Sequence, residues 1–142
     1  MNVILTRFRQ ANCVSSIFLI VVLFAGCGGL RDRPEERAYR ASLKEGDILI
    51  GAGWPWATRP DLMRQGLEMA LHEINQAGGV MGRKIRIDWQ DDQGSVTQGL
   101  VVAQTFADSL NMVAVIGHAT SSVSLPASAT YEYSGLLMLA PG

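Results

Sequence analysis

Five residues in one short stretch, His118, Thr120, Ser121, Ser122 and Ser124, carry most of the polar chemistry in the last third of the chain. They follow the apolar run MVAVIG, residues 112–117, with almost no charge nearby. Three chemistries fit hydroxyls packed this densely at the end of a strand. One is a serine nucleophile, which needs a base on a separate element and a strained elbow. His118 stands only three positions from Ser121, and there is no Gly-x-Ser-x-Gly. His118 is therefore expected to hydrogen-bond locally and shape the loop. The second is a helix cap, the ordinary use of a serine before a helix. The third is a cradle in which hydroxyls and unpaired backbone N–H groups at a helix start hold an anionic head group.

The remaining candidates are weaker. Trp54 and Trp56 flank Pro55 in a segment read as a loop, where they offer either a cap on the core or an aromatic wall for a ligand. Asp91 and Asp92 end a strand but lack the further carboxylates and lysine of a magnesium site, so turn chemistry is expected. His72 reads as solvated helix surface, since Gln76 stands where a second zinc-binding histidine would be. No cofactor and no metal is expected.

Alternating strands and helices are required to place these groups. The run DILIGAG, residues 47–53, is a short aliphatic strand ending in glycines. Apolar residues at Leu62, Met63, Gly66, Leu67, Ala70, Leu71 and Ile74 predict a helix with one buried stripe. Thr58 with Asp61 forms a capping-box pattern before it, and Gly78 and Gly79 stop it. KIRIDWQ, residues 84–90, alternates as a second strand. Ser95 and Gln98 open a helix whose predicted buried stripe is Leu100, Ala103, Phe106, Ala107 and Leu110. MVAVIG is a third strand, Leu125–Tyr133 a third helix, and LLMLA, residues 136–140, a fourth strand. This order predicts an α/β unit, a parallel sheet with helices on both faces and right-handed crossovers. With strand order 2-1-3-4, the connections of the first and third strands diverge. The crevice at their carboxyl ends would then bring the WPWATRP and HATSS loops face to face.

Before this unit the chain has a different character. Arg7 and Arg9 precede the apolar run Val14–Ala25, and small residues follow in AGCGG, the order of a secretory signal. Phe24, Ala25 and Gly26 before Cys27 resemble a bacterial lipoprotein box, so residues 1–26 are expected to be removed and Cys27 acylated. The alternative is an uncleaved anchor over Ala11–Leu30, which carries no charge. Either form tethers the protein to a membrane on its outer side. Residues 27–45 are charged and read as a tether, with at most a short surface helix around Pro34–Leu43. The globular part, residues 46–142, holds no cysteine, which excludes disulfides and thiolate metal sites there. No basic residue follows Arg86, while Asp88, Asp91, Asp92, Asp108 and Glu132 do, so nucleic acid is not an expected partner.

Three stretches together, GLEMALHEINQAGGVMGRKI (66–85), DDQGS (91–95) and VIGHATSSVSLPASATYEYSGLLMLAPG (115–142), resemble the start of a type I periplasmic solute-binding protein of the branched-chain amino-acid family. The resemblance implies two α/β lobes closing on an amino acid or related small carboxylate and handing it to a membrane ABC permease, without catalysis. The present sequence would be only the first half of the first lobe, ending after its fourth strand. Within it, the resemblance assigns Ser121 to the ligand carboxylate, with Ser122 beside it; Thr120 at the same helix start, and Trp54 and Trp56 as cleft wall, are readings of the residues themselves. The family usually has small residues and a glycine where these tryptophans stand. The alternatives are an envelope serine hydrolase using Ser121, or a truncated fragment without activity.

Overall fold

Four short strands form one parallel sheet in which, numbered along the chain, they lie in the order 2-1-3-4. The computed structural model describes residues 33–59 and 62–141. Helix α1 spans Arg33–Ser42, β1 Ile48–Trp54, α2 Met63–Gln76, β2 Ile85–Asp91, α3 Val96–Asp108, β3 Met112–Gly117, α4 Ser121–Tyr133 and β4 Leu137–Leu139. The expected α/β class, strand order and helix-strand alternation are all present.

Right-handed crossovers put α3 and α4 together on one face, because β2→β3 and β3→β4 both step in the same direction across the sheet. The core lies there: Val102, Ala103 and Phe106 of α3, Ala127 and Tyr131 of α4, and Met112, Val115 and Leu136 beneath them. Two glycines permit this closeness. A Cβ on Gly51 would lie 2.9 Å from the Met112 sulfur and 3.0 Å from the Phe106 ring, so the bare strand makes room for both. A Cβ on Gly99 would lie 2.3 Å from Val123 Cγ1, so α3 and α4 approach to a distance that only glycine allows. The α3 stripe therefore differs from the one read in the sequence. Gly99 and Val102 are buried, Leu100 is exposed, and Leu110 falls beyond the helix.

The step β1→β2 runs the other way and places α2 on the opposite face. Among the described residues, nothing in α2 is buried, and its apolar stripe from Leu62 to Ile74 stays exposed or half-exposed. A helix buries its stripe only when neighbours close over its flanks, and among the described residues no helix packs beside α2. Leu137 and Leu139 of β4 are likewise exposed, as expected for a strand with one open face, whereas Leu136 is buried in the core and Met138 packs against it. Asn75 still pins the end of α2 to β2: its amide donates to Ile85 O at 2.9 Å and its Oδ1 accepts from Ile85 N at 2.8 Å. The stop at Gly78 and Gly79 is as predicted, with φ of 102° and 77° and Gly79 N donating to Ile74 O.

The predicted capping boxes do not form. Helix α2 begins at Met63, and Thr58 instead sits in a turn, donating its N–H to Pro55 O. Ser95 occupies the cap position of α3 as expected but makes no side-chain cap bond. Helix α4 starts at Ser121, not Leu125. Pro126 lies inside the helix, in its second turn.

The largest correction concerns the segment read as a tether. Among the described residues the folded part already includes α1, which docks through Arg37, 4% exposed. Its guanidinium donates to Ala107 O (2.8 Å), Ser109 O (2.7 Å), Met112 O (2.6 Å) and Ser134 O (3.0 Å). These are carbonyls at the ends of α3 and α4 and the start of β3, so one side chain caps two helix termini. Pro34 also packs against Gly135, and Arg33 pairs with Asp108 at 2.6 Å. A charged segment can thus belong to the core when its charge meets helix carboxyl ends. No helix among the described residues is long and apolar enough to cross a membrane.

Candidate ligand-binding site

Strands β1 and β3 pair with Gly53 opposite Gly117, so the segments that follow them leave the sheet side by side. The loop after β1 folds back at once: Trp56 N donates to Trp54 O, and Thr58 N and Arg59 N both donate to Pro55 O. Arg59 then reaches across, its Nη1 donating to Ala119 O at 3.2 Å. The two loops expected to converge are therefore joined by a direct hydrogen bond.

Thr120, in extended conformation, is the cap residue of α4 and makes no side-chain cap bond. Its hydroxyl instead meets that of Ser122 at 3.1 Å. Thr120, Ser121 and Ser122 are all exposed. The first helical amides with partners belong to Val123 and Ser124, both donating to Thr120 O. The N–H groups of Ser121 and Ser122 precede them in the turn where helices leave donors without intrahelical acceptors. A helix amino terminus of this kind favours negative charge.

The tryptophans divide. Trp54 ends β1 as a strand residue and is 6% exposed, with the Arg59 guanidinium 5.6 Å above its ring. Trp56 is half-buried and leans toward β2. Its indole N–H donates to Gln90 O at 2.9 Å, its ring meets Trp89 edge-on at 5.3 Å, and Arg64 lies over both rings. Ser121 also lines a small groove on the far side of α4 with Ser124, Leu125, Ser128, Met138 and Ala140.

Behind the hydroxyl loop lies an arrangement that the sequence reading missed. His118 is 0% exposed. Its Nδ1 is 2.6 Å from Asp92 Oδ2 and its Nε2 3.0 Å from the Tyr131 hydroxyl, with the two rings stacked at 6.1 Å. Asp92 and Tyr131 are each 1% exposed, and burial with the nearby Asp92 carboxylate pushes the Tyr131 phenol well above its ordinary range. Asp92 Oδ1 accepts from Gly94 N and Asp91 Oδ1 from Gln93 N, so both acids perform the expected turn chemistry. His118 does shape the loop, but through partners remote in sequence. With both ring nitrogens engaged and no exposure, it is not placed to act as a base for Ser121. The signal was present in the sequence: strand order 2-1-3 places the ends of β2 and β3 on either side of β1. There Gly53, whose Cβ would sit 3.0 Å from His118 Cε1, leaves a lane between them.

Cys27 lies outside the described residues, and His72 is on the surface as expected. Among the described residues no three His, Cys, Asp or Glu side chains cluster as metal ligands.

Residues 57–142, more than half of the chain, match the family profile described as periplasmic binding protein. The chain is 41% identical over 102 residues to Leu/Ile/Val-binding protein homolog 1 of Brucella abortus, covering 68% of this chain and 27% of that protein. An ABC transporter substrate-binding protein of Desulfitobacterium hafniense, solved in complex with Leu, matches at 47% identity and a TM-score of 0.66, over 68% of this chain and 29% of that one. The branched-chain amino acid transporter substrate-binding protein LivJ of Streptococcus pneumoniae, in complex with isoleucine, matches at 25% identity and a TM-score of 0.60, again over 68% and 29%. The chain thus spans under a third of the length of these relatives, which are solute-binding proteins and not enzymes. With the profile match and the sheet order in agreement, this chain belongs to the periplasmic binding protein family, and its described residues form part of one type I lobe.

Proposed function

We propose that the crevice between the 54–59 and 118–122 loops is one half of the seat for an amino acid or a related small carboxylate, in an extracytoplasmic binding protein that delivers it to an ABC permease. Relatives named for leucine, isoleucine and valine, and solved with Leu and isoleucine bound, support this class of ligand. The observation that carries it is the Arg59 to Ala119 bond, which holds the aromatic loop beside the start of α4. Ser121 supplies a hydroxyl and an amide to the carboxylate, with Ser122 and Thr120 beside it. Trp56 forms the wall for the side chain, and Trp54, being buried, acts as the floor under it. A second lobe supplies the opposite wall and the partners of the ammonium group. Cys27 carries a lipid that holds the protein to a membrane.

Calorimetry of the full-length protein with L-leucine and L-isoleucine tests the site. Ser121→Ala weakens binding by about 1–3 kcal/mol, the value of one or two shielded hydrogen bonds to a charged group, with unchanged melting temperature. Equal affinity for wild type and variant removes Ser121 from the seat. Incorporation of labelled palmitate that disappears in Cys27→Ala tests the anchor.

A further inference from the structure

The carboxylate seat is a loop of small residues, and small residues do not hold a loop still. What holds this one lies beneath it. His118 joins β3 to two other elements at three points: by Nδ1 to Asp92 after β2, by Nε2 to Tyr131 in the last turn of α4, and by its backbone to Ser124 in the first. Asp92 N in turn donates to Trp54 O at the end of β1, and Ser124 Oγ both accepts from His118 N and donates to His118 O. Every buried side-chain nitrogen and oxygen among the described residues has a partner, so the network is closed.

The donor count fixes its direction. A carboxylate at Asp92 only accepts, so a neutral His118 facing it carries its proton on Nδ1 and leaves Nε2 to accept the Tyr131 O–H. We propose that Asp92, His118 and Tyr131 are positioning residues for the ligand seat, forming a relay that sets where residues 119–122 stand. The inference rests on the reading of Ser121 as a ligand contact.

The variants are chosen to keep the fold. Tyr131→Phe removes one hydroxyl. Asp92→Asn keeps an oxygen for Gly94 N and turns its amide toward His118, which forces the proton onto Nε2 and reverses the relay. In the full-length protein the ¹⁵N shifts of the His118 ring report Nδ1–H in wild type and Nε2–H in Asp92→Asn. With L-leucine as the probe, each variant binds about five- to tenfold more weakly, the effect of one misplaced hydrogen bond. Amide exchange quickens at residues 119–122 while that of β1 and β3 is unchanged. An unaltered Kd in both variants with the tautomer reversed overturns the proposal, as does faster exchange spread evenly over the lobe, which marks a purely structural role. If wild type does not bind L-leucine, the ligand reading fails separately. Exchange at 119–122 then decides: selective quickening upholds the relay's hold on the loop, and none overturns it.

Discussion

Replacing Arg37 with methionine tests whether a segment rich in charge belongs to the folded lobe. The guanidinium uses four of its five N–H groups on carbonyls of Ala107, Ser109, Met112 and Ser134. Each charge-assisted bond contributes about 1.5–3 kcal/mol when its acceptor stays otherwise unpaired. The simple sum overstates the loss, because burial disfavours the charge, and that, with Arg33 nearby, lowers the guanidinium's affinity for its proton. Methionine also keeps the packing of the stem while removing both the bonds and the desolvation cost. Water can reach some of the freed carbonyls, since the neighbouring Arg33 and Arg40 are exposed. The net loss is about 3 kcal/mol, in the lower part of the range for breaking a buried charged network. For a domain of this size that corresponds to a fall in melting temperature of about 12–24 °C. Urea unfolding followed by circular dichroism measures it. Arg37→Lys recovers less than half, because an ammonium cannot meet four carbonyls in a plane. An unfolding midpoint for Arg37→Met within error of wild type would show that α1 rests on the surface without contributing stability.

Three other outcomes follow from particular contacts. Gly99→Ala gains about 1 kcal/mol of helix propensity but drives a methyl into Val123, for a net loss of about 1–2 kcal/mol in urea unfolding. The Val123→Ala background removes that loss, and an equal loss in both backgrounds refutes the close approach of α3 and α4. Burial and Asp92 raise the Tyr131 phenol above its ordinary value of 10.0. The unfolded chain therefore releases this proton first, and stability is full below about pH 10 and falls as pH rises beyond it. Absorbance titration at alkaline pH should show one phenol ionising only with unfolding, a feature absent in Tyr131→Phe. The Arg33 hydrogen bond, with help from Gln104, holds the Asp108 carboxyl below the usual range. Its small stabilising effect is present above the unfolded value and lost as pH falls toward the folded one. In Arg33→Ala, carboxyl ¹³C titration should move Asp108 back up toward the ordinary carboxyl range.

Strand and helix order were legible because each depends on neighbours in sequence. Alternation in IRIDWQ, the apolar run MVAVIG and the double glycine after α2 all describe local backbone preferences. The order 2-1-3-4 expected for an open parallel sheet of this kind is the one found, and from it follows which loops converge. The hydroxyl-rich turn stood out by composition, but the helix that begins in it, at Ser121, was expected only from Leu125.

What tertiary structure decided is which surfaces are covered and which polar groups meet. Apolar spacing announced a buried stripe on α2, but burial needs flanking elements, and among the described residues no helix packs beside α2. Charge announced a tether at residues 33–42, but the carboxyl ends of α3 and α4 supply acceptors that draw Arg37 inside. Asp92, His118 and Tyr131 stand 26 and 13 positions apart along the chain, and only the parallel sheet, with a glycine between two strand ends, brings them into one network. Backbone preference is written within a few residues, whereas a hydrogen bond between distant residues exists only after the chain has closed on itself.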